Sequence, residues 1–198
     1  MSNRETDIVI DLETLGHRQN AAIVSIGAAA LNRNTGKIGP LYYNSVNLDT
    51  ALRCGAVTGG TLAWWMHKDR TQGARAVFND PKAVTLYEAL RGLNDFVRGR
   101  PSGACVWGNG SHFDISVLEH AYDAIGMPGF TEQWKFWSVR DLRTILDTSG
   151  FDKKSIPFVG YEHHALDDAV HEAKVLAGCF GKQWSMTQIL PTAEGEDW

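Results

Sequence analysis

Apolar and polar positions alternate in two periods along this chain. Ile8-Val9-Ile10-Asp11-Leu12-Glu13-Thr14 starts β-branched and turns polar at its end, which predicts a central strand. The run Ala21 to Leu31 predicts a second strand, with Gly27 arguing against a helix there. Turn chemistry over Asn32-Arg33-Asn34-Thr35-Gly36-Lys37 returns the chain as a third, antiparallel strand over Leu41 to Leu48. Beyond the glycines at 55, 59 and 60, Thr61 is placed to cap a short helix over Leu62 to Lys68. Pro81 suits the first turn of a helix carrying Leu86, Leu90, Leu93 and Val97 at helical spacing. Ala104-Cys105-Val106-Trp107 reads as a buried strand, and Ser111 or Asp114 as the cap of the helix bearing Ile115, Leu118, Tyr122 and Ile125. A last short strand over Lys135 to Val139, a helix over Asp141 to Asp147 and a final helix from about Ala165 to Phe180 complete the pattern.

Strands first and then strands alternating with helices predict an α/β fold, a mixed sheet covered by helices. The 198 residues suit one domain, with a core over residues 7–180 and a frayed tail over 190–198. At 43% hydrophobic and 21% charged residues the chain reads as globular. No run of about 18 apolar residues is present to span a bilayer, and the start of the chain lacks a secretory pattern, so a cytoplasmic location without membrane contact is expected. Cys54, Cys105 and Cys179 are too far apart for a zinc motif or a disulfide framework. A net charge of −4 disfavours nucleic-acid binding through the global field. It is compatible with a nuclease, because carboxylates that gather divalent cations are negative until the cation arrives.

The candidate chemistry is acidic. Asp11 and Glu13 lie two apart on a strand and project from one face, a costly place for like charges unless a cation or solvent meets them. Asp114 follows the outlet of the strand ending at Trp107, where open α/β sheets collect functional groups. Asp168 sits in the first turn of the last helix on its inward face, while Asp167 is turned by about 100°. Taken singly, each has an ordinary explanation as a cap or a solvated charge. Together, four carboxylates from three segments suit two hard cations about 4 Å apart in phosphoryl transfer. A histidine, neutral near pH 7, can take the proton of an attacking water. His163 is the candidate, with His164 beside it as a competing register.

In this order, Asp11-Leu12-Glu13-Thr14, Asn109 through Asp114, and His163-x-Ala165-Leu166-x-Asp168 resemble the three motifs of DnaQ-like 3′→5′ exonucleases in their histidine-containing DEDD subgroup. Thr61-Leu62-Ala63-Trp64-Trp65 and the His163 to Ala169 segment look most like the compact subgroup of phage exodeoxyribonuclease A and a mycobacterial 3′→5′ exoribonuclease. The resemblance implies a ribonuclease H-like three-layer fold with a five-stranded mixed sheet, its first three strands antiparallel. It also implies two divalent cations, Mg²⁺ or Mn²⁺. Asp11, Glu13 and Asp168 would hold the first, Asp11 and Asp114 the second, and His163 would be the general base. The spacing of the family motif favours His163 with Asp168 over His164 with Asp167. The partner implied is nucleic acid with a free 3′ end, single-stranded or as an overhang, released as nucleoside 5′-monophosphates, and a homodimer is expected.

Leu12 and Thr14 are candidate contacts of the terminal nucleotide. Trp64, Trp65, Trp107, Asn109 and Phe113 are candidates for the facing walls, since base stacking grips a strand without sequence preference. Lys68, Arg70 and Arg75 are candidate backbone contacts. No phosphate-binding loop or dinucleotide fingerprint is present, so no nucleotide cofactor is expected. The rival readings are a structure-selective endonuclease on the same scaffold and a non-catalytic nucleic-acid-binding module.

Overall fold

The computed structural model describes residues 5–67, 75–101, 103–127 and 134–187. The β-branched run near the start forms β1 (Thr6–Thr14), paired antiparallel with β2 (Ile23–Asn32), which pairs antiparallel with β3 (Lys37–Ser45). On the other side of β1 lie β4 (Cys105–Gly108) and then β5 (Val139–Asp141), each parallel to its neighbour. The five expected strands are joined by β6 (Ser185–Met186), which is parallel to β3 at the sheet edge. The strand order is β5-β4-β1-β2-β3-β6. Two residues are too few to carry a readable period, which is why the sixth strand has no signature in the sequence.

Helices cover both faces. They are α1 (Leu48–Cys54), α2 (Gly59–Trp65), α3 (Leu86–Arg98), α4 (Ser111–Ala124), α5 (Leu142–Ser149) and α6 (Ala165–Cys179). Alternation along β1 sends Ile8, Ile10 and Leu12 into one core layer with Leu90, Leu93, Val117 and Leu118. Val9 goes into the other, with Leu142, Val170, Ala173 and Leu176. Among the described residues no helix is long and apolar enough to cross a membrane.

Several element starts differ from the sequence expectation, each for a local reason. α3 begins at Leu86, five residues beyond Pro81, because Thr85 and Glu88 form a reciprocal capping box. α2 begins at Gly59 after Thr58, and Thr61 lies inside the helix with its hydroxyl on that of Thr58. Neither Ser111 nor Asp114 occupies the cap of α4. Gly110, at φ 101°, takes that position in a conformation suited to glycine, and the Asp141 carboxylate accepts from the Ser111 N–H at 2.8 Å. Phe136–Ser138 is a 3₁₀ turn, so strand β5 starts only at Val139. Lys68, Arg70 and the tail over 190–198 fall outside the described residues.

The placement of α6 is set at Gly27. Gly27 pairs with Asp11 across β1 and β2 and lies on the sheet face that α6 covers. A Cβ at Gly27 would stand 2.1 Å from the Ala165 carbonyl oxygen and 2.4 Å from the Leu166 nitrogen, both backbone atoms. The first turn of α6 therefore rests directly on β2, which brings the Asp168 side of that turn beside Asp11. Backbone atoms of a packed helix cannot swing aside as a flexible side chain can. Gly27→Ala is expected to lower the unfolding free energy by about 1–3 kcal/mol, read as a reduced urea midpoint. An unchanged midpoint would mean that this helix is not seated against β2.

Candidate active site

Asp11 and Glu13 project from the α6 face of β1, and the register slips between Glu13 and Thr14, so the strand bends where its carboxylates end. Asp114 enters from the first turn of α4 and is 5% exposed. Two features hold it there. Gly108 leaves room, since a Cβ would lie 3.1 Å from Asp114 Oδ2, and the Leu12 backbone N–H donates to the Asp114 carboxylate. Asp168 comes from the first turn of α6, backed by the N–H of His163. Glu13, His163 and Asp168 each offer a ligand atom within 4.8 Å of the other two.

The loop before α6 separates the two histidines. His163 has φ 65°, and no other non-glycine among the described residues has positive φ. That conformation costs about 1–3 kcal/mol and persists only where its surroundings enforce it. Enforcement comes from Asp167, whose Oδ2 accepts from the Tyr161 N–H at 2.9 Å and lies 3.4 Å from His164 Nδ1. His164 stacks against Tyr43 at 4.5 Å between ring centroids. His163 turns the other way and meets the Trp64 ring edge-on at 4.6 Å. The pair His164 and Asp167, which rivals His163 and Asp168 in the sequence, thus organises the loop, and His163 is the histidine that shares the carboxylate cleft.

Leu12, Thr14, Trp64, Trp65 and Phe113 line that cleft together with Glu13 and His163. Trp65 is buried, with its indole N–H donating to the Thr14 carbonyl at 2.9 Å, so only part of it meets the cleft. Two other expected substrate contacts, Trp107 and Asn109, are engaged by protein groups. Trp107 is buried in the layer beneath α6, its Nε1 donating to Asp7 Oδ1 at 2.7 Å, because strand alternation on β4 turns it inward. Asp7, fully buried, also takes an ion pair from Arg33, making Trp107 part of a structural anchor. Asn109 is half-buried and held by the protein: Arg143 Nε donates to its Oδ1 at 3.3 Å, and its side chain hydrogen-bonds Glu172.

Glu172 is the site residue that the sequence reading misses. It lies one helical turn beyond Asp168 on the buried face of α6, among Ala165, Ala169, Ala173 and Leu176, and it faces Asp114 and Asp168. A carboxylate on an otherwise apolar helical stripe was the available signal.

Electrostatics follow from this crowding. Burial, then repulsion from Glu172, Glu13, Asp114 and Asp168, holds the Asp11 carboxyl far above the ordinary carboxylate range. Burial and then Asp168 and Asp114 push Glu13 to about 8. Burial raises Asp114 to about 7 and Asp168 to about 6, in each case against backbone hydrogen bonds that lower it. Glu172 is raised by burial first and by Asp114 second. Asp168 Oδ2 and Glu172 Oε2 are buried with no hydrogen-bond partner among the described residues. Crowded hard oxygens lacking donors are what a hard divalent cation satisfies, so the residues fit such a group.

A family model for the Rv2179c-like 3′-5′ exoribonuclease domain matches residues 6–180. The chain belongs to this family. It is also similar to the exodeoxyribonuclease of Enterobacteria phage T4, 22% identical over 161 residues that make up 71% of this chain and 70% of the relative. Among solved structures, the nuclease domain of 3′hExo, a DEDDh family member bound to rAMP, superposes with a TM-score of 0.59 at 16% identity, covering 91% of this chain and 94% of that one. Exonuclease I of E. coli in complex with a dT13 oligonucleotide gives a TM-score of 0.57 at 15% identity, covering 87% of this chain and 39% of the other. The fold is the ribonuclease H-like exonuclease fold, and the family activity is 3′→5′ exonuclease cleavage.

The raised carboxyls have a consequence for stability. In the cation-free folded state Glu13, Asp114 and Asp168 keep protons that the unfolded chain has released, so their contribution is full below about pH 4 and is lost as pH rises through about 6 to 8. Thermal melting in EDTA is expected to fall between about pH 5 and pH 8.5, with a shallower fall in Glu13→Gln. A melting temperature that climbs steadily over this range would contradict the crowded site.

Proposed function

We propose that this chain is a metal-dependent 3′→5′ exonuclease that removes nucleoside 5′-monophosphates from single-stranded DNA or RNA, or from 3′ overhangs. The observation that carries the reading is the meeting of Glu13, His163 and Asp168 within 4.8 Å on a cleft lined by Leu12, Thr14, Trp64 and Phe113. Asp11, Glu13 and Asp168 would hold one divalent cation, and Asp11 and Asp114 a second. Mg²⁺ or Mn²⁺ bound there would supply Lewis acidity to the scissile phosphate.

The protein's own groups divide the remaining work. A ring nitrogen of His163 accepts the proton of the attacking water as its oxygen bonds to phosphorus. The bond from phosphorus to the 3′ oxygen of the preceding nucleotide breaks, and that oxygen is protonated from solvent. Edge contact with Trp64 and the Asp167-pinned loop keep the imidazole beside the carboxylates. Leu12 and Thr14 border the terminal nucleotide, and Trp64 and Phe113 offer aromatic surface to its base. Reading bases by stacking suits an enzyme that must accept any sequence.

A time course on matched 5′-labelled DNA and RNA with Mg²⁺, Mn²⁺ or EDTA tests this. Stepwise shortening from the 3′ end is expected with either cation and none with EDTA or with Asp11→Ala. His163→Ala is expected to retain cation binding and lose about 10²–10⁴-fold in kcat. Internal fragments would favour an endonuclease, and binding without shortening a non-catalytic module.

A further inference from the structure

Glu172 stands apart from the residues that the catalytic reading uses, and its surroundings are hard to reconcile with a purely structural part. It is 7% exposed, in the middle of α6, with carboxylates of Asp11, Asp114 and Asp168 as electrostatic neighbours. One oxygen is served by Asn109. The other, Oε2, is buried and has no hydrogen-bond partner among the described residues. Arg143, which holds the Asn109 carbonyl, fixes the amide that faces Glu172, and its guanidinium packs over Gly110 at the entrance to α4.

A structural role at this position would be better filled by glutamine, which keeps the shape and a bond to Asn109 and places no charge among like charges. Apolar neighbours Ala169, Ala173 and Leu176 would equally accept an aliphatic side chain. A carboxylate becomes favourable there when positive charge is present. The charge of the exposed Arg143 lowers the Glu172 and Asp114 carboxyls, but its hydrogen bond goes to Asn109 and leaves the Glu172 Oε2 without a partner among the described residues.

We propose that Glu172 is a fifth carboxylate of the cation centre, supplying its free oxygen to the second cation site, the one between Asp11 and Asp114, with Arg143 and Asn109 setting its orientation. This rests on the function proposed above. The first site, that of Asp11, Glu13 and Asp168, takes no ligand oxygen from Glu172. Magnesium keeps several of its waters, which need hydrogen-bond acceptors, so the free oxygen of Glu172 can serve the site either as a ligand or as the acceptor of a bound water.

Calorimetric titration of Mn²⁺ into wild-type and Glu172→Gln protein, paired with cation-free melting curves, tests the assignment. Wild type is expected to take up two cations. Glu172→Gln is expected to keep the first with little change, to weaken the second about 10–100-fold, and to melt at the same or a higher temperature without cation. Asn109→Ala, which frees the Glu172 carboxylate without removing it, is expected to weaken the second site less. Two wild-type affinities in Glu172→Gln, or a lower cation-free melting temperature with both sites weakened alike, would overturn the role given to Glu172. Wild-type protein that neither binds Mn²⁺ nor shortens 3′ ends would instead overturn the proposed function.

Discussion

Burial of like-charged carboxylates in one place is the constraint to which the rest of this molecule answers. Burial raises the carboxyls of Asp11, Glu13, Asp114, Asp168 and Glu172, repulsion from the others of the group adds to this at Asp11, Glu13 and Glu172, and each would be more favourably placed in water. Three elements bring them together: β1, the first turn of α4, and the first two turns of α6, which rests on β2. Each element has a specific means of close approach. Gly27 lets α6 rest on β2, Gly108 admits Asp114, and Gly110 turns the chain into α4 under the Asp141 carboxylate. Apolar layers on both faces of the sheet supply the stability that the acids consume.

The loop before α6 extends the same logic to His163. A histidine forced to positive φ needs neighbours that outweigh the strain, and Asp167 with Gly160 and Tyr161 provides them. The two acids that follow the histidines have opposite duties: Asp167 faces the loop and builds it, while Asp168 faces the cleft. Helical rotation by about 100° between neighbours is enough to separate those duties.

Much of this was legible in the residues because it rests on short periods. Asp11 and Glu13 share a strand face by alternation, and Asp168 shares a helix face with the inward residues. The meander of the first three strands followed from β-branched runs and a polar turn. What escaped depended on tertiary partners. Trp107 has the composition of a stacking surface, but its neighbour across the sheet is Asp7, one hundred residues away in sequence. Asn109 lies in a motif beside Asp114, yet its direction is set by Arg143 on α5. His163 and His164 cannot be told apart by spacing within this chain, since a left-handed backbone at one position decides which enters the cleft. Glu172 was readable as an acid on an apolar stripe, and its meaning emerges only with Asp114 and Asn109 beside it.

The central claim is that these carboxylates form a cation centre and are not merely a strained acidic cluster. Anomalous diffraction from crystals grown with Mn²⁺ and a nucleoside 5′-monophosphate addresses it most directly. Manganese density is expected to touch Asp11, Glu13 and Asp168, with the monophosphate in the cleft beside Leu12 and His163. Manganese bound elsewhere, with the carboxylate cluster left empty at saturating cation, would contradict it.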